Sequence, residues 1–115
     1  MTVDEALSRL QKSAFRAKFH LSDEDINYID KKGLDTVKSH AEDFIKKRLA
    51  PAVIPNDGHP VFKAQHACAC CCRGCLNKWY HVEKGRELSY DEQRRIVNLL
   101  MAWIEREYRS YKNNT

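Results

Sequence analysis

All five cysteines of this 115-residue chain fall within the ten residues HACACCCRGC, from His66 to Cys75. With His59 they make its one dense set of soft metal-ligand side chains. Free cysteines usually occur singly in cores, so this density requires a metal ion, redox chemistry, or a local run of small apolar residues. Cys72 and Cys75 form a C-x2-C pair, the spacing that lets two thiolates reach one tetrahedral ion, and Gly74 relieves the backbone between them. No second such pair exists, so the remaining ligands must come from His59, His66, Cys68, Cys70, Cys71 or His81. On a helix over 60–70, His66 and Cys70 lie one turn apart, roughly 6 Å along the axis, whereas His59 and His66 are separated by about 10.5 Å. His66 is therefore preferred as third ligand, with Cys71 or His59 as the fourth. Zinc is expected ahead of iron because neither haem nor ferredoxin spacing is present. Two plainer accounts stay open: Cys68, Cys70 and Cys71 as ordinary packed residues, and, with Arg73 beside Cys72, a reactive or redox-active thiol.

A second chemistry starts from His40, Ala41 and Glu42, which spell H-x-E, with the C-x2-C about thirty residues later. This is the ligand order of zinc nucleobase and nucleoside deaminases. In that scheme His40, Cys72 and Cys75 hold zinc, and Glu42 shuttles the proton of the activated water. Against it, Cys71 stands where a proline normally precedes the first cysteine, and no strands for a central sheet are visible. His40 and Glu42 also read as a solvated pair beside buried Ala41 and Phe44. A third reading is a nucleic-acid-binding module. Arg94, Arg95, Arg106, Arg109 and Lys112, with Lys46 to Arg48, would then form a phosphate-binding face, and Trp79 and Tyr80 would stack on bases. Twenty Lys and Arg against sixteen Asp and Glu give a net charge of +4, which permits an anionic partner without requiring one, so weak binding is expected.

The elements that must position these residues are helical. Val3, Ala6, Leu7 and Leu10 recur at helical spacing, and Phe15, Phe19 and Leu21 read as anchors on a connecting segment. Ser22 caps DEDINYID, which Gly33 stops. LDTVKSHAEDFIKKRL follows, with Val37, Ala41, Phe44, Ile45 and Leu49 on one face. The Pro/Gly-rich stretch over 50–58 predicts a long loop that delivers His59 and Pro60 to a Cys/His-rich segment over 59–81. Ser89 and Glu92 make a capping box for a last helix with Val97, Leu100, Met101, Ile104, Tyr108 and Tyr111 on one stripe. The expectation is mostly α: one helical domain over 1–115 with about five helices. The opening MTVDEALSRL lacks a leader pattern, no stretch approaches membrane-spanning length, and the cysteine count is odd, so a cytoplasmic protein without a disulfide framework is expected.

The segments GLDTVKSHAEDFIKKRLAPA, NDG, GHPVFKAQHA, CCRGCLNKW and KGREL, in that order, resemble a family of short bacterial proteins catalogued as a domain of unknown function. The resemblance covers most of the chain after Phe15 and implies no activity. It implies that His59, His66, Cys71, Cys72, Arg73, Gly74, Cys75 and Trp79 fall on the family's pattern. It also implies that Cys68 and Cys70 stand where Thr is usual, that several residues are missing between Asp57 and Gly58, and that the histidine after Trp79 is displaced to His81. Taken together, the sequence predicts an uncharacterised cytoplasmic helical protein with a zinc site built from Cys72, Cys75, His66 and one of Cys71 or His59. Whether such a site is structural or catalytic depends on its ligand count.

Overall fold

The computed structural model describes residues 2–48 and 59–113. The loop expected over 50–58 lies outside the described residues. Within them the chain forms seven helices: α1 Val3–Gln11, α2 Ala14–Ala17, α3 Asp23–Lys32, α4 Leu34–Arg48, α5 Pro60–Ala67, α6 Arg73–Tyr80 and α7 Tyr90–Asn113. No strand occurs among the described residues, and none of their helices is long and apolar enough to cross a membrane.

The expected count of about five is corrected to seven, and both additions have local causes. Helix α2 has four residues, too few for a periodic pattern, and is started by Ser13, whose hydroxyl accepts the Arg16 N–H at 3.3 Å. Helix α6 is separate because α5 stops early. The Cys70 N–H returns to the Gln65 carbonyl at 2.8 Å and the Ala69 N–H to His66 at 3.4 Å, with Ala69 in the left-handed region at φ 57°. This is a Schellman closure, normally signalled by Gly at the left-handed position. Because an alanine occupies it, the sequence does not announce the stop. Cys70 thus lies beyond the helix, and the expected His66–Cys70 pairing on one helical face is lost.

Helix α7 organises the core. Its buried Ile96, Val97, Leu100 and Ile104 pack with Val37, Ala41 and Ile45 of α4, Val61 and Ala64 of α5, and Ala6, Leu7 and Leu10 of α1. Its start carries the expected capping box: Glu92 N–H to Ser89 Oγ at 3.1 Å and Ser89 N–H to Glu92 Oε1 at 2.9 Å. Its far end is latched to α3, with Tyr111 donating to Asp23 at 2.6 Å and Lys112 to Asp30 at 2.7 Å. Asp25 is 2% exposed and accepts from Ser22 N–H at 2.9 Å and Lys63 Nζ at 2.5 Å, so α3 and α5 meet through a satisfied ion pair. Together α3, α4 and α7 hold α5 in place, and the cysteine segment departs from its end.

Candidate metal centre

Cys72 is the N-cap of α6 in extended conformation, and its sulfur accepts the Cys75 N–H at 3.3 Å. Capping by sulfur places Cys72 and Cys75 on one helical turn, at the positive end of the helix dipole. The chain leaves the α5 closure directly into Cys71, whose Sγ lies 3.6 Å from Cys75 Sγ. The sulfurs of Cys71, Cys72 and Cys75 all lie within 4.8 Å of one another, the sole group of three or more potential ligands among the described residues. Two sulfurs bound to one tetrahedral zinc at 2.3 Å sit about 3.8 Å apart, so the spacing fits a shared ion with little movement. Cys71 and Cys75 are half-buried, whereas Cys72 is exposed.

One cation reaches this group from a distant part of the sequence. Arg16 of α2 is 8% exposed; its Nη1 donates to the His66 carbonyl at 2.6 Å and to Cys71 Sγ at 3.6 Å, and its Nη2 donates to Cys75 Sγ at 3.2 Å. Burial, the largest single influence, would lower its pKa, but the hydrogen bonds to Cys71 and Cys75 and the charge of those sulfurs together outweigh it and raise the pKa above the ordinary arginine value. Arg16 thus remains charged in a dry position. Three thiolates with a divalent ion sum to a charge of −1, which one guanidinium cancels. The only sequence signal for Arg16 was its place between Phe15 and Phe19 on the anchor segment. Arg73, the cation expected to act on Cys72, turns away and donates to the carbonyls of Glu83 and Arg86.

The remaining candidates are placed elsewhere. The His66 ring stacks on Phe19 at 5.6 Å and is outside the three-sulfur group. His59 caps α5: its Nδ1 accepts the Val61 N–H at 3.1 Å, and its Nε2 lies 2.8 Å from His40 Nδ1. An Nδ1 that accepts a hydrogen bond leaves the proton of the neutral ring on Nε2, which then donates to His40. Neither nitrogen of His59 has a lone pair left for an ion. Burial first, then the neighbouring His40, push the His59 pKa down to about 4, so the neutral ring prevails near pH 7. Cys68 and Cys70 are fully buried, and burial pushes both thiols up, so they are packed side chains in this fold. His81 is exposed, in the left-handed conformation that ends α6.

The deaminase arrangement is not assembled. His40 bonds to Tyr28 at 3.2 Å and to His59, Glu42 is exposed, and the sheet that would bring H-x-E to the cysteines is absent among the described residues. The basic residues of α7 are partly neutralised: Arg94 lies 3.5 Å from Asp91, Arg109 3.7 Å from Glu105 and Lys112 2.7 Å from Asp30. Trp79 carries the Arg9 guanidinium 5.4 Å above its ring, which occupies a face that a base would need.

A sequence profile for the domain of unknown function DUF4186 matches residues 4–105. The chain belongs to the DUF4186 family. No solved structure matches it. DUF4186 carries no assigned activity, so a functional reading rests on the site itself. The cysteine group of this DUF4186 member could hold a metal ion through three sulfurs.

Proposed function

We propose that this protein binds one zinc ion through Cys71, Cys72 and Cys75, with Arg16 balancing the surplus thiolate charge. The observation that carries the reading is the convergence of three sulfurs within 4.8 Å at the start of one helix. Zinc is favoured over harder ions because thiolates are soft donors, and over iron–sulfur clusters because the cysteine spacing matches none of their common patterns. Arg16 favours the zinc reading as well, since it cancels the charge left by three thiolates on a divalent ion.

Three protein ligands leave the fourth position to water or another exogenous donor, which is the coordination of a working site rather than of a closed staple. The exposed Cys72 marks the side on which such a donor enters. Cys71 and Cys72 lie outside the buried core and Cys75 only packs against it, so the ion stabilises the cysteine turn rather than the whole fold. Five free thiols suit a reducing compartment, which supports a cytoplasmic protein. Nucleic acid is at most a weak partner, given that Arg94, Arg109 and Lys112 of α7 already face carboxylates.

The test is native mass spectrometry of protein purified without a metal-affinity tag. The expected result is about one zinc per chain, lost in Cys72→Ser and in Cys75→Ser. Full metal content in either variant, or none in the wild type after zinc-supplemented expression, refutes the proposal.

A 3.6 Å separation between the Cys71 and Cys75 sulfurs supports a second reading, a dithiol that cycles with a disulfide. A metal-free protein that loses two thiols to oxidised glutathione would favour it.

A further inference from the structure

Between them, α1, the end of α6 and the first half of α7 enclose an open-sided cleft of about 890 Å³. Its wall is apolar: half-buried Val3, Tyr80 and Val82 face it, above a floor of buried Ala6, Leu76, Ile96 and Leu99. Its rim is polar and carries two charged side chains, Glu92 and Arg95. They differ in one respect. Glu92 is already engaged, holding Arg86 through both carboxylate oxygens at 2.7 and 2.8 Å and accepting the Ser89 N–H at 2.9 Å. Those bonds, with the Arg86 hydrogen bond the largest cause, pull its pKa down to about 2, so it stays ionised and committed to Arg86. Arg95 is exposed and has no carboxylate partner among the described residues. His81, held at the rim by the left-handed end of α6, adds a second nitrogen donor.

Ligand sites are concave, mostly apolar, and furnished with a few polar groups that fix orientation, with volumes of roughly 300–1,000 Å³. This cleft has that size and that division of floor and rim. Its uncommitted charge is positive. The geometry points to a binding site for a small amphipathic anion, an aliphatic carboxylate whose tail lies against Val3, Tyr80 and Val82 and whose head group meets Arg95. An amphipathic cation of the same length would place its charge against Arg95 with no free carboxylate to receive it. The site does not include the proposed metal ligands: Cys71, Cys72 and Cys75 are absent from its lining, in which Cys70 and Leu76 alone are next to them in sequence.

The experiment is a titration of isotope-labelled protein, followed by backbone amide shifts, with decanoate and with decyltrimethylammonium as the matched cation. Saturable shifts are expected for decanoate at Ala6, Tyr80, His81 and Leu99, with much weaker effects of the cation. An exposed ion pair contributes at most about 1 kcal/mol, which converts to about fivefold in affinity, so Arg95→Gln should weaken decanoate binding by up to about fivefold. Arg95→Glu should reverse the preference, so that the cation saturates the same amides. Arg95 is exposed, so neither variant threatens the fold. Shifts outside the cleft, shifts that do not saturate, or an unchanged anion preference in Arg95→Glu would each overturn the inference. Unaltered zinc content in these variants keeps the result separate from the metal proposal.

Discussion

Replacing Arg16 by Met tests the charge balance at the cysteine group, because methionine keeps much of the buried length and removes the cation. Three interactions are lost: those to the His66 carbonyl at 2.6 Å, to Cys75 Sγ at 3.2 Å and to Cys71 Sγ at 3.6 Å. Two consequences separate by the presence of metal. Without zinc, the His66 carbonyl loses its short bond from the guanidinium and keeps the Ala69 N–H at 3.4 Å, so the cost is that of one hydrogen bond to a charged group, about 1.5–3 kcal/mol. With zinc, the site keeps an uncompensated charge of −1. Two unit charges about 4 Å apart at an effective dielectric of about 20 interact by about 4 kcal/mol, and solvent at the exposed Cys72 side reduces this by half or more. Outer-shell partners of metal ligands typically contribute 10–100-fold in affinity, which agrees with the reduced figure. The expected outcome is therefore a 10–100-fold weaker zinc Kd in competition with a chromophoric chelator. Arg16→Lys should fall between wild type and Arg16→Met, because one ammonium supplies the charge but cannot reach all three acceptors. A zinc Kd for Arg16→Met within about threefold of wild type would refute the reasoning.

Changing Cys68 and Cys70 together to Thr should leave zinc content unchanged and cost no more than about 2 kcal/mol in urea denaturation. The thiol of Cys70 already reaches the Cys68 carbonyl at 3.4 Å, a bond that a hydroxyl can keep, and loss of metal in this variant would reinstate these residues as ligands. The folded His59 binds its proton less readily than the unfolded chain, so stability is full above about pH 6.5 and falls as the pH drops towards about 4. The shift would amount to about 3 kcal/mol in a dry site, and the half-exposed ring reduces it to about 1–2 kcal/mol. The corresponding slope should vanish in His59→Gln, as read from urea midpoints across that window.

Much of the fold was legible because it rests on helical periodicity and caps. The stripe on α7, the Ser22 and Ser89 boxes, Gly33 and the Pro60 start are local signals, and each appears in the structure. What escaped was set by groups without such signals: an alanine in the left-handed region at position 69 and a cysteine capping α6. These two features decide which cysteines meet. They release Cys70 into the core and bring Cys71 to Cys72 and Cys75, so the C-x2-C pair alone underdetermined the site. Arg16 was illegible for a different reason: its partners lie 50 to 59 residues away, and no local pattern encodes such a contact. His59 and His66 looked like ligands by type, but one is consumed by a helix cap and a histidine pair, and the other stacks on Phe19.

Zinc K-edge X-ray absorption on the tag-free protein tests the central claim most directly. The account predicts three sulfur scatterers at about 2.3 Å and one lighter atom at about 2.0 Å. That lighter shell should lack imidazole multiple scattering, since neither His59 nor His66 belongs to the three-sulfur group. Four sulfurs, or two sulfurs with histidine nitrogens, would contradict it.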